Sequence, residues 1–121
     1  MSLIGTFESS DKKFKLNITE ATVSNSNMSG KMEVITQSGD LRNLNVVGKF
    51  RYVNGVSQPT GICAYAYSGG TSGNPMLCFS FSGSCTSASP DELLIGVQGT
   101  HIDDSGQIEY YHSDVSTWKR V

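Results

Sequence analysis

Two histidines, one tryptophan and three prolines are all that 121 residues hold, and no stretch spaces its apolar residues at a convincing helical period. The three cysteines, at positions 63, 78 and 85, form no C-x-x-C pair and have no histidine at ligand spacing, which argues against zinc. Their odd number favours buried free thiols over one disulfide with a thiol left over. No apolar run approaches the roughly 18 residues of a membrane-spanning helix, so no membrane is expected as a partner. Lysine and arginine occur in nothing longer than the pairs Lys12-Lys13 and Lys119-Arg120, and the net charge is -2, so a nucleic-acid backbone has no electrostatic footprint to meet.

Nothing resembles a nucleophile elbow or a local triad signature, and His101 and His112 read as ordinary strand residues, so no enzyme activity is expected. Asp103-Asp104-Ser105-Gly106 with Glu109 lacks the alternating spacing of a calcium loop and reads as a hairpin turn. No cofactor or metal is therefore expected. Asn17-Ile18-Thr19 and Asn27-Met28-Ser29 are glycosylation sequons that read as chance occurrences. The opening Met1 to Phe7 lacks the basic and apolar regions of a secretory leader, which leaves the localisation open: secreted if a leader has been removed, otherwise cytoplasmic.

What the chain does have is period-two alternation. Runs at Ile4–Ser9, Phe14–Val23, Met32–Thr36, Leu44–Val53, Ile62–Tyr67, Met76–Cys85, Leu93–Ile102 and Gln107–Val121 are separated by short turn clusters. Asn54-Gly55 is the strongest turn signal, because both residues tolerate positive φ. The side-chain-poor loop from Ser68 to Pro75 is expected to be exposed and mobile. Within the sixth run, Leu77, Phe79 and Phe81 share one face and Ser80, Ser82 and Ser84 the other. The stretch Pro90 to Val97 also admits a short helix. Eight runs in one meander, with no linker or repeat, predict a single all-β domain over residues 1–121. The expected architecture is an antiparallel up-and-down barrel, since closure removes exposed edges.

Three segments in order resemble the avidin family: Gly5-Thr6-Phe7, Gln58-Pro59-Thr60 running to Tyr67, and Phe81-Ser82-Gly83-Ser84-Cys85. Met28-Ser29-Gly30-Lys31, Val47-Gly48-Lys49-Phe50 and the closing Ser116 to Val121 are similar to further strands of that family. The resemblance implies a non-enzymatic small-ligand barrel that associates as a dimer or tetramer through the outer faces of its later strands. Those faces are expected to carry Ser80, Ser82 and Ser84 with Val97 and Trp118 or its neighbours.

It also implies a set of ligand-binding positions. Ser9 stands where the family has Asn, Met32 where it has Tyr, with Val34 two residues on, and Ser116 where it has an acid or amide, with Asp114 nearby. Tyr67, with Tyr65 on the same face, matches a wall Trp. Phe81 matches an aromatic wall residue, and Phe79 replaces a hydroxyl. Several groups that would grip a ureido ring are thus replaced, so a degraded biotin pocket is implied, with biotin or a related heterocycle as first candidate. A sugar would also suit the aromatic cluster, and the alternative is a structural or lectin-like barrel whose interior is filled.

Overall fold

The computed structural model describes residues 3–22, 24–36, 39–52, 59–69, 76–86, 89–102 and 105–121. The Asn54-Gly55 turn, positions 70–75 of the Gly-rich loop and Asp103-Asp104 lie outside the described residues. The period-two runs become eight strands: β1 (Gly5–Ser9), β2 (Phe14–Thr22), β3 (Asn27–Ile35), β4 (Leu41–Tyr52), β5 (Pro59–Ser68), β6 (Met76–Thr86), β7 (Ser89–Ile102) and β8 (Ile108–Arg120). Each strand pairs antiparallel with the next, and β8 returns to β1, closing an all-β barrel with no helix among the described residues. The Pro90–Val97 stretch is strand: Leu93, Ile95 and Val97 are buried and Leu94 is exposed, because Gly83, Ser84 and Cys85 of β6 pair with Ile95, Leu94 and Leu93. β3 begins five residues earlier than the apolar pattern suggests, since Met28 already packs inside opposite Gly48.

The interior is apolar and filled. Phe7, Leu16, Ile18, Met32, Val46, Ala66, Leu93, Ile95 and Trp118 are among the side chains sealed from solvent. Cross-strand pairing sets rows around the wall: Ile18, Gly30, Val46, Ala66, Phe79, Gly99 and Tyr111 form one, and Met28, Gly48, Ala64, Phe81, Val97 and Ser113 the next. In the first row large and small residues alternate, and in the second Gly48 and Ala64 leave the room that Met28 and Phe81 fill, which is how eight strands close around a solid core. Gly99 shows the constraint directly: a Cβ there would lie 2.1 Å from Phe79 Cδ1 and 2.7 Å from the Cys78 carbonyl oxygen.

Toward the end of the barrel away from the β1–β2 turn, Leu3, Phe50 and Ile62 are buried, and Arg120 ties Ile4 to Asp91. The Arg120 guanidinium lies 4.7 Å from the centre of the Phe7 ring, donates from Nη1 to the Ile4 carbonyl oxygen at 2.8 Å, and from Nε to Asp91 Oδ1 at 3.0 Å. Gly5, at φ +147°, leaves the room that guanidinium occupies: a Cβ would fall 2.1 Å from Arg120 Nη1. Cys63, Cys78 and Cys85 are free thiols, but Cys63 is exposed and Cys78 and Cys85 are only partly buried, which corrects the expectation of burial: Cys63 and Cys78 fall on the outward faces of β5 and β6. Partial burial pushes the Cys85 thiol up against the opposing pull of Arg120.

Candidate ligand site

At the other end lie the β1–β2, β3–β4, β5–β6 and β7–β8 connections. The first of these is built by hydrogen bonds. Ser9 Oγ donates to Asp11 Oδ1 at 2.7 Å and accepts from the Phe14 amide at 3.0 Å, while the Lys13 amide donates to the same Asp11 oxygen at 3.1 Å. Lys12 takes the left-handed conformation (φ 65°) that turns the chain, and its amide donates to the Ser9 carbonyl oxygen. Burial raises the Asp11 pKa, but the bonds from Ser9 and the Lys13 amide and the Lys13 charge outweigh it, and the carboxyl titrates below its ordinary value.

The turn fixes Phe14, and around Phe14 the barrel gathers its aromatics. Phe14 meets Phe79 at 5.7 Å and 83° and Tyr111 at 5.4 Å and 61°, and Phe79 meets Tyr111 at 5.8 Å and 79°. These are edge-to-face arrangements, the geometry that the ring quadrupoles favour. Trp118 lies beneath, stacked on Phe14 at 5.5 Å and on Phe81 at 6.4 Å. Burial and the Asp11 charge raise the Tyr111 phenol pKa, against a lowering hydrogen bond from Ser113.

Above this cluster opens a cleft of about 80 Å³, floored by Phe14, Val34, Leu77, Phe79 and Tyr111 and rimmed by Lys13, Thr36, His101, Glu109 and Tyr110. His101 Nδ1 lies 3.6 Å from Glu109 Oε2, and its Nε2 is buried with no hydrogen-bond partner among the described residues. The cleft therefore combines an aromatic floor with one unsatisfied imidazole nitrogen and two rim charges. Its volume falls well below the roughly 300–1,000 Å³ of drug-sized sites, so it has room for a ring, not a whole elongated ligand.

The positions named by resemblance separate into four groups. Val34 and Phe79 line the cleft. Ser9, Met32 and Phe81 point inward but are sealed below it, at 3%, 0% and 2% exposure. Ser116 is partly buried, and its hydroxyl accepts from Trp118 Nε1 at 3.2 Å.

Tyr65, Tyr67 and Asp114 lie on the outer surface, which corrects the expectation that the tyrosines line a cavity. The reason is volume. Phe79 and Phe81 of β6 face Ala66 and Ala64 of β5, so the tyrosines take the opposite face of their strand. Asp114 is displaced by a bulge: Val97 pairs with Ser113 but Ile95 pairs with Ser116, so Ser113 and Ser116 both turn inward although three residues apart. Val97 and Trp118, expected on an outer face, are buried at 3% and 1%.

Phe14, Leu77, His101 and Tyr111 were not singled out as site residues, although the alternation of β2 and β6 already put Phe14 and Leu77 on apolar faces. Tyr111 shares its inward face with Trp118 only through the bulge, for which the residues between carry no marker. Among the described residues no three His, Cys, Asp or Glu side chains come together in a way that could hold a metal ion.

Compared with protein-family models, curated proteins and solved structures, the chain gives no match.

Proposed function

We propose that this protein is a non-enzymatic small-ligand-binding barrel of avidin type, and that its site is the cleft over Phe14, Phe79 and Tyr111. The observation that carries the reading is the convergence of a three-ring floor and the His101 nitrogen, which has no partner among the described residues, in one apolar cleft at the end of the barrel where the β1–β2 turn lies. A flat ring inserted there gains edge or face contact with three aromatics, and an N–H or O–H on its rim can donate to His101 Nε2 when that nitrogen is unprotonated.

Biotin is the first candidate because its ureido ring is flat and carries N–H donors. Its binding would be weak. The Ser9 and Ser116 hydroxyls, which resemblance assigns to ureido contacts, are already engaged with Asp11, the Phe14 amide and Trp118. Each ureido hydrogen bond left unmade costs about 1–3 kcal/mol.

Trp118 supplies the test. It is the chain's single tryptophan and it stacks on Phe14 in the cleft floor, so a bound ring should alter its emission. Titration with biotin, uracil and adenine is expected to give a saturable change for at least one of them, abolished in His101→Phe. No saturable change up to the solubility limit of all three would return the barrel to the alternative reading, a structural or interaction module with a filled interior.

A further inference from the structure

The cleft leaves unexplained two exposed aromatic side chains on the outer face of the barrel. Tyr65 and Tyr67 are 49% and 42% exposed, project from the outer face of β5, and place their ring centroids 5.8 Å apart at 35°. They contribute nothing to the interior, where Ala64 and Ala66 occupy the alternate positions. Exposed aromatics side by side on a rigid sheet are what a ligand surface offers, since leaving them in water forgoes the stabilisation that burial would bring.

The surroundings identify the ligand's chemistry. Across the strands, the outward row through Tyr65 runs Val47, Tyr65, Ser80 and Gln98, and the row through Tyr67 runs Asn45, Tyr67, Cys78 and Thr100. From β4 to β7 neither row contains a charged side chain, and the one cation that adjoins them on β3, Lys31, is engaged, its Nζ donating to Asn45 Oδ1. A nucleic acid or other polyanion would require cations here. A stable protein partner would require an apolar core within roughly 800 Å² per side, and two rings bordered by hydroxyls and amides supply little of that. A sugar ring fits both halves of the surface, because its C–H face is apolar and its edge carries hydroxyls. Tyrosine likewise presents an apolar body with a polar tip.

We propose that the outer face of β5 is a second binding site, a stacking platform on which Tyr65 and Tyr67 each hold one unit of a neutral polysaccharide. The Ser80 hydroxyl and the Gln98 amide flank the rings and bond the sugar hydroxyls, with the Asn45 side-chain NH₂ as a further donor, its oxygen being held by Lys31. Two adjacent subsites make a chain bind better than a monosaccharide, because the second contact forms intramolecularly once the first is made. The site lies on the opposite side of the barrel wall from the core and is independent of the cleft reading.

The test is retention of the full chain on washed cellulose and chitin, and its retardation in native gels cast with xylan or amylose. Wild type is expected to be retained by at least one of the four, and Tyr65→Ser/Tyr67→Ser to lose at least about tenfold in affinity with an unchanged thermal midpoint. Tyr65→Trp/Tyr67→Trp should keep binding, and His101→Phe should bind as wild type does. If the double serine variant does not fold, the single variants Tyr65→Ser and Tyr67→Ser, each removing one ring, carry the same comparison. Absence of wild-type retention on all four polysaccharides overturns the proposal, and so does equal retention of the serine variants. Sedimentation showing a wild-type dimer that the serine variants dissociate would assign the face to a second copy instead, which also overturns it.

Discussion

β5 and β6 are neighbours of similar length that dispose of their aromatic residues in opposite ways. On β6, Leu77, Phe79 and Phe81 point inward and Ser80 and Ser82 outward, whereas on β5 Ala64 and Ala66 point inward and Tyr65 and Tyr67 outward. The pairing of Ala66 with Phe79 and Ala64 with Phe81 explains the difference. Space inside a closed barrel is shared among strands, so a bulky row on one forces a slender row on the next. The aromatics of β6 thus make the core and the cleft floor, and those of β5 are released to the surface.

The strongest attempt to break this contrast is Phe79→Ala. It removes a buried ring that touches Phe14 and Tyr111, and urea unfolding is expected to show a loss of about 3–5 kcal/mol. Adding Ala66→Phe should restore part of that loss, because the ring returns to nearly the same space from the facing strand. No recovery would mean that the two positions do not share volume.

Gly99→Ala attacks the other flank of Phe79. The new methyl would lie 2.1 Å from Phe79 Cδ1 and 2.7 Å from the Cys78 carbonyl oxygen. Overpacking of this kind costs about 1–3 kcal/mol. Combining it with Phe79→Leu, which frees the ring edge but not the backbone, should reduce the penalty below the sum of the two single changes, measured by a double-mutant cycle.

A smaller effect is expected from Asp11→Asn, which tests how far the inner aromatics depend on the turn that positions Phe14. The Asp11 carboxyl has a folded-state pKa below its ordinary value, so its contribution is present above the unfolded pKa and is lost as pH falls through the folded one. Discounted for exposure, the variant should be less stable than wild type by about 0.5–1 kcal/mol at neutral pH. The difference should shrink below about pH 4. A difference that persists unchanged into acid would show that Asp11 acts through something other than its charge.

The smallest effect belongs to β5. Tyr67→Ser should change stability by no more than about 0.5 kcal/mol, since the ring is 42% exposed and replaces no core contact. A loss near that of Phe79→Ala would erase the distinction between the two strands.

Much of the fold was legible before any coordinates. Alternation at Leu77, Phe79 and Phe81 against Ser80, Ser82 and Ser84 is unambiguous, because large apolar residues recur on one face and hydroxyls on the other. β5 offers no such asymmetry. Cys63, Tyr65 and Tyr67 alternate with Ala64 and Ala66, and both sets are compatible with burial. Residue type favours the aromatics as wall residues; packing chose the alanines. The candidate site was less legible still, as it draws on the start of β2, the ends of β3 and β7 and the starts of β6 and β8.

What the sequence determined by itself was the number of strands, their order and their antiparallel meander, because period two and short polar turns are local properties that each segment carries alone. Tertiary structure alone decided which face of β5 looks inward, that a bulge between Ser113 and Ser116 brings Tyr111 and Trp118 to the same side, and that the interior is filled up to a small cleft. Those outcomes depend on volumes and registers summed around the whole barrel, and no single strand contains that sum.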